Sequence, residues 1–110
     1  MPWTAKHRFA RISPRKARLV ADLIRGRHAD DAMNVLAFTR KRASGLVRNV
    51  LRSAIANADE QEAEVNALYV QEVRIDEGPC IKRWRPKDRG RAHPYVHQTS
   101  HIVVTVEQEQ

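Results

Sequence analysis

A chain of 110 residues with 42% hydrophobic content has room for one modest core and is too apolar to be wholly disordered. Aromatic residues make up only 5%, charged residues 30%, and the formal net charge is +7, which fits a folded protein whose surface meets a polyanion such as nucleic acid. The lone cysteine, Cys80, excludes an internal disulfide and fits a reducing compartment. No apolar run approaches the roughly 20 residues of a membrane span, so a soluble, non-exported chain without membrane partners is expected.

The charge is segregated along the chain. Residues 1–52 carry 13 basic and 3 acidic side chains, 53–79 carry 1 and 7, and 80–110 carry 6 and 3. Two basic regions flanking an acidic one suggest that one face meets phosphate and another turns away. Residues 1–21 lack Asp and Glu, as transit peptides do, but the Ser-Pro boundary and apolar periodicity within them suit a structured element better.

In chain order, residues 3–12 form a candidate strand. Ser13-Pro14 then opens a helix over 14–25, with Ser as N-cap acceptor and Pro where a missing N–H costs nothing. Its apolar face is expected from Ala17, Val20 and Ile24 with Leu19 and Leu23 beside them, while Arg15, Lys16, Arg18 and Arg25 stay polar and Gly26 stops the helix. Three of those cations crowd the first turns, against the helix dipole, which suggests an external anion. Asp30 and Asp31 begin a short second helix ending near Thr39, with Ala32, Met33, Val35, Leu36 and Phe38 as its apolar contacts.

The longest helix shows the strongest periodicity, with Ala43, Leu46, Val47, Val50, Leu51, Ala54, Ile55 and Ala58 recurring at intervals of three and four. On its other face Lys41, Arg48 and Arg52 form a basic ridge. Residues 59–66 read as an acidic linker. Leu68 and Val70, then Val73 and Ile75, alternate with a phase slip near Gln71-Glu72, the mark of a β-bulge or a change of buried face. Gly78-Pro79 bends the chain, and Ile102, Val104 and Val106 define a closing strand.

Between those strands, residues 82–93 hold six Lys/Arg against one Asp. Burying such a stretch would strand several unpaired charges, so it must meet a polyanion or water. Lys82, Arg83, Arg85, Lys87, Arg89, Arg91 and His93 suit phosphate, and Trp84 and Tyr95 can stack on bases. Turn chemistry at Lys87-Asp88-Arg89-Gly90 makes the segment a hairpin over about 79–98, with a tip reaching on the order of 30 Å from the body. An isolated hairpin of that length is marginally stable and needs a partner.

Catalytic and metal chemistry find little support. His93, His97 and His101 lie four apart, but in an extended chain that spacing is about 13 Å, too far to share one zinc. Asp59, Glu60, Glu62 and Glu64 lack surroundings that would fix them around Mg²⁺. There is no Gly-rich phosphate loop and Cys80 has no helix start beside it, so no enzyme, metal or cofactor is expected. A DNA-binding regulator with a helical body and basic wing remains an alternative, with Lys41-Arg42 and Ser44 as weak base readers. A nuclease would need clustered carboxylates or a His pair near the basic surface.

With these segments placed, the chain resembles the large ribosomal subunit protein 22 family in its short bacterial form. The resemblance rests on Arg11-Ile12-Ser13-Pro14-Arg15-Lys16-Ala17-Arg18-Leu19-Val20, Asp22-Leu23-Ile24-Arg25-Gly26 and Ser53-Ala54-Ile55-Ala56-Asn57-Ala58. It continues through Asp76-Glu77-Gly78-Pro79 leading to Lys82-Arg83, and Arg89-Gly90-Arg91-Ala92 followed by Thr99-Ser100-His101-Ile102. It implies an α+β fold with three helices packed on a small antiparallel three-stranded sheet and a long protruding basic β-hairpin, all in one ribosomal-protein domain. The implied role is structural: a cytoplasmic ribosomal protein that binds large-subunit rRNA, neighbours other large-subunit proteins, and lines the nascent-peptide exit tunnel with its hairpin, against the nascent polypeptide. Ser13, Pro14, Arg15, Lys16 and Arg18 would meet rRNA at the first helix, and Lys82, Arg83, Arg85, Arg89, Gly90 and Arg91 along the hairpin. Arg8, Arg11, Ser100 and His101 complete the candidate contacts. Lys87 and Asp88 stand where the family usually has Arg-Ala, and His97 and Gln98 where it often has Lys-Arg, so this hairpin is less positive than the pattern.

Overall fold

A computed structural model describes residues 2–87 and 91–109, with side chains described over the same residues except 83–87 and 91–96. The order is β1 (Trp3–Ala10), α1 (Pro14–Ile24), α2 (Ala29–Phe38), α3 (Arg42–Glu60), a 3-10 turn (Val65–Ala67), β2 (Leu68–Glu77), β3 (Ile81–Lys87), β4 (Arg91–His97) and β5 (Ser100–Gln108). The last strand in sequence is the middle one in space: β1, β5 and β2 form an antiparallel sheet in that order. The α+β fold with three helices on a three-stranded sheet is therefore as expected. The hairpin turn expected at 87–90 falls largely outside the described residues.

The helices cover one face of this sheet, α1 over β2 and α3 over β1 and β5. Val70, Val73 and Ile75 of β2 meet Ile102, Val104 and Val106 of β5 and the stripes Ala17, Val20, Ala21, Ile24 and Val47, Leu51, Ala54, Ala58 in one buried cluster. The opposite sheet face is polar, yet Val103 and Thr105 are buried there too. Val103 lies in register between Lys6 and Arg74, whose aliphatic stems can cover it while their charges stay in water.

The expected phase slip is a register shift between Val70 and Glu72, which keeps both halves of β2 facing the core. Edge strand β2 is also closed off. Val70 exchanges backbone hydrogen bonds with Gly26 (3.1 Å) and Arg27 (2.8 Å). Arg25 donates to the Val73 carbonyl (2.9 Å) and Arg18 to that of Ile75 (3.1 Å). Satisfied this way, the edge cannot template another strand.

Two expectations need correction. Leu19, Leu23 and Phe38 are exposed, Phe38 by 86%, rather than in the apolar contacts. At about 100° per residue, Ala17, Val20, Ala21 and Ile24 share one arc of α1 while Leu19 and Leu23 lie round the far side. The acidic segment 59–66 is not all linker, since α3 runs on to Glu60 and Val65–Ala67 forms the 3-10 turn. The helix stops where Ala63 N–H bonds the Ala58 carbonyl (3.1 Å) and Glu62 N–H that of Asp59 (3.0 Å). This is a Schellman ending whose left-handed position, φ 62°, is filled by Glu62 instead of the usual glycine.

Strands β3 and β4 pair with each other as a separate two-stranded sheet. The molecule measures 64 × 24 × 17 Å with a radius of gyration of 16.9 Å, against about 13 Å for a compact chain of this length. The hairpin accounts for the difference. Its root is pinned where Gly78 N–H bonds the Thr99 carbonyl (2.9 Å) and the Thr99 hydroxyl bonds the Pro79 carbonyl. A Cβ on Gly78 would lie 2.4 Å from Thr99 Oγ1, so close approach requires the glycine here.

Candidate nucleic-acid interface

The starts of α1 and α3 converge beside the hairpin root. They frame a cleft of about 680 Å³ lined by Arg11, Ile12, Ser13, Lys16, Leu19, Lys41, Arg42, Ala43, His97 and Gln98. Four of these residues are permanent cations and none is a carboxylate. A second recess of about 250 Å³, lined by Arg11, Arg42, Ile81, His97 and Gln98, carries the same surface toward β3. The N-terminal turns of two helices add the positive ends of their dipoles. Ser13 Oγ accepts from Lys16 N–H (3.3 Å), which fixes the first turn of α1. The α3 start has no side-chain cap, leaving backbone donors for a ligand or water.

Cationic side chains continue along α3. Arg52 is exposed and Arg48 half-buried, with a buried Nε that has no hydrogen-bond partner among the described residues. An orphaned buried guanidinium donor is costly. Lys6, His7 and Arg8 of β1 and Asn49, Val50 and Ser53 of α3 line a shallow groove at the sheet edge. The far end of the body has the opposite sign. There His28 Nε2 lies 3.6 Å from Glu109, and the Tyr69 hydroxyl donates to Glu107 (3.4 Å). Desolvation first, and then Glu107 and Glu109, raise the Tyr69 pKa. Because α1, α3 and β5 all run between these ends, the segregation of charge in sequence becomes a segregation in space.

The expected contact residues divide accordingly. Arg8, Arg11, Arg15, Lys16, Lys41 and Arg52 are exposed. Arg18 and Arg25 are exposed as well, but their guanidinium groups clamp the β2 edge, and Arg25 also pairs with Asp22 at 2.6 Å. Pro14 and Ser100 are buried. The Ser100 hydroxyl donates to the Ile12 carbonyl (2.7 Å), so it ties β5 to the loop before α1. His101 is half-buried and accepts from the Phe9 amide through Nδ1 (3.0 Å).

Along the hairpin, register pairs Arg83 with Tyr95, Arg85 with His93 and Lys87 with Arg91. Directly opposed residues share a face, so these six positions lie on one side of the ribbon, and the pairs Trp84–Pro94 and Pro86–Ala92 on the other. The two aromatic positions are thus on opposite faces. Asp88, Arg89 and Gly90 lie outside the described residues. Leu19 and Lys6 were not among the expected contacts, and Arg42 entered only as a weak base reader in the DNA-binding alternative. They come to the surface of the cleft and groove through tertiary packing, which no spacing in sequence signals.

Residues 5–107 match the model of the family described as ribosomal protein L22p/L17e. The match covers nearly all of the 110 residues, and the chain belongs to this family. It is accordingly a protein of the large ribosomal subunit, with a structural rather than an enzymatic role. The resemblance carried by the Ser13-Pro14 and Arg89-Gly90-Arg91 motifs is family membership, and the DNA-binding alternative gives way to it. Among the described residues, no helix is long and apolar enough to cross a membrane.

Proposed function

We propose that this chain is a bacterial-type member of its family and folds as one domain with a hairpin over about 79–98. In this reading it binds 23S-type rRNA of cytoplasmic ribosomes, supports large-subunit assembly, and lines the peptide exit tunnel with the hairpin, beside the nascent polypeptide. The observation that carries the reading is the carboxylate-free cleft where Arg11, Lys16, Lys41 and Arg42 meet two helix starts at the hairpin root. Such a cleft suits the phosphates of a folded RNA, and guanidinium groups there can fork onto two oxygens at once. Arg8, Arg15, Arg48 and Arg52 extend the contact over the body. Lys82, Arg83, Arg85, Lys87, Arg89, Gly90, Arg91 and His93 extend the proposed contact along the hairpin segment, with Trp84 as a stacking surface. Arg18 and Arg25 contribute charge while holding the β2 edge.

The test is co-sedimentation with large subunits, joined to binding of rRNA extracted from them over a range of salt. The protein is expected to travel with the subunit and to lose affinity steeply with salt, because each neutralised phosphate releases counterions. Lys16→Ala and Lys41→Ala are each expected to lower the slope of log affinity against log salt by about one or less. A salt-independent affinity, or absence from the large-subunit fraction, would overturn the proposal.

A further inference from the structure

At the end of β1, the register with β5 shifts between His7 and Ala10, so Arg8 and Phe9 together oppose His101 alone. The bulge puts Phe9 in the left-handed region, φ 60°, which is rare and strained for a bulky side chain. It also takes the Phe9 amide out of the ladder, and His101 Nδ1 accepts it at 3.0 Å. That hydrogen bond requires an unprotonated Nδ1, which places the proton of neutral His101 on Nε2. The edge of one ring meets the face of the other, with centroids 4.9 Å apart and planes at 86°.

This strain does not serve the core. The Phe9 ring remains 55% exposed, while Ala10 next to it is buried. The Arg8 guanidinium lies over the ring, 5.5 Å from its centroid, and Lys6, Arg8, His101 and Val103 share a shallow recess with Arg74 and Asp76. Arg74 pairs with both Asp76 (3.1 Å) and Glu72 (3.2 Å), which leaves that cluster one negative charge, and the two cations Lys6 and Arg8 turn the patch positive. The first acidic residue in the chain is Asp22.

We infer that Phe9 is a stacking platform for an unpaired base of the RNA, with Lys6 and Arg8 on the adjoining phosphates and His101 holding the ring in place. A half-exposed aromatic ring with one guanidinium over it and a second cation beside it matches the chemistry of a single-stranded nucleotide, whose base needs a π-surface and whose phosphate needs a cation. An apolar protein partner would have no use for the two cations. The inference rests on the rRNA-binding function proposed above and adds a contact that does not depend on salt.

The experiment measures affinity for rRNA extracted from large subunits, across a salt series, for the full chain and its Phe9→Gly, Phe9→Leu and Lys6→Ala variants, together with their melting temperatures. Phe9→Gly relieves the left-handed strain and is expected to melt no lower than the parent, yet to bind roughly 10-fold more weakly. Phe9→Leu is expected to weaken binding with an unchanged salt slope, whereas Lys6→Ala lowers the slope. Phe9 variants that bind as tightly as the parent overturn the inference alone, as they would if the ring met a neighbouring ribosomal protein. Failure of the parent to bind rRNA overturns the broader proposal and this inference with it.

Discussion

Two antiparallel sheets are built from this one chain, and they hold together for different reasons. The body sheet buries Val70, Val73, Ile75, Ile102, Val104 and Val106 against three helices, and its β2 edge is closed by a loop and two arginines. The hairpin sheet has two strands, no third neighbour, and a sequence dominated by cations. Pro86 and Pro94 occupy ladder positions of the same class, opposite Ala92 and Trp84. Proline has no N–H to donate, so both positions suit non-hydrogen-bonded pairs and leave one outward donor fewer on each edge. That discourages pairing with another strand without supplying a core. Apolar burial is the body's own source of order, whereas the hairpin's is expected from outside.

The largest expected contrast is in amide exchange of the free protein. Residues 102–106 should exchange only through global unfolding, on the order of 5–15 kcal/mol for a domain, while strands β3 and β4 should exchange by local opening at far lower free energy. Hydrogen exchange read by NMR checks this, and equal protection of the two sheets would break the comparison. Next in size is the response to substitution. Ile102→Ala in the core should cost about 2–5 kcal/mol, whereas the combined Lys82→Ala, Arg83→Ala and Arg85→Ala variant should stay within roughly 0.5 kcal/mol of the parent per site. Denaturant titration gives both numbers. The triple variant should instead lose rRNA affinity and show altered nascent-chain stalling when it replaces the native copy in cells.

The junction between the sheets offers a smaller effect. Gly78→Ala places a Cβ against Thr99 Oγ1 and 3.3 Å from the Thr99 backbone carbon, in a root where the hydroxyl already bonds Pro79. We predict a loss of about 1–3 kcal/mol. The same change should cost less in a Thr99→Ala background, since the nearer clash is gone there, and a double-mutant cycle by thermal melting measures the coupling. Additive effects would show that the root tolerates the extra methyl by moving as a whole.

Much of this architecture was legible from local chemistry. Ser13-Pro14 marked the start of α1, the interval pattern from Ala43 to Ala58 marked α3, and the slip at Gln71-Glu72 marked the bulge, because each signal lies within a few residues of its cause. Arg18 and Arg25 looked like free phosphate ligands, since their acceptors are backbone carbonyls 57 and 48 residues away and no side-chain pattern reveals them. The burial of Ser100 was hidden for a similar reason, its acceptor Ile12 being 88 positions distant. The cleft itself joins Arg11, Lys41 and His97, which only the packing of α1 on α3 and the return of β4 bring together. The acidic segment hid the end of α3 because glutamate, not glycine, takes the left-handed position.

That glutamate supplies the smallest and cleanest test. Glu62 and Phe9 share the same backbone peculiarity, with φ of 62° and 60°, and for both a glycine would remove a steric penalty of about 1 kcal/mol. Glycine also gains freedom in the unfolded chain, which offsets part of that relief. The net for Glu62→Gly should be a stabilisation of a few tenths of a kcal/mol, read as a small rise in melting temperature. Glu62 lies at the acidic end of the body, where its strain only terminates a helix, so rRNA affinity should not fall and the loss of one negative charge should leave it equal or slightly tighter. Phe9→Gly gives similar relief at the basic end, where affinity should drop. If Glu62→Gly weakens rRNA binding as much as Phe9→Gly does, left-handed strain at the two sites has the same consequence, and the division of the body into a binding end and a purely structural one fails.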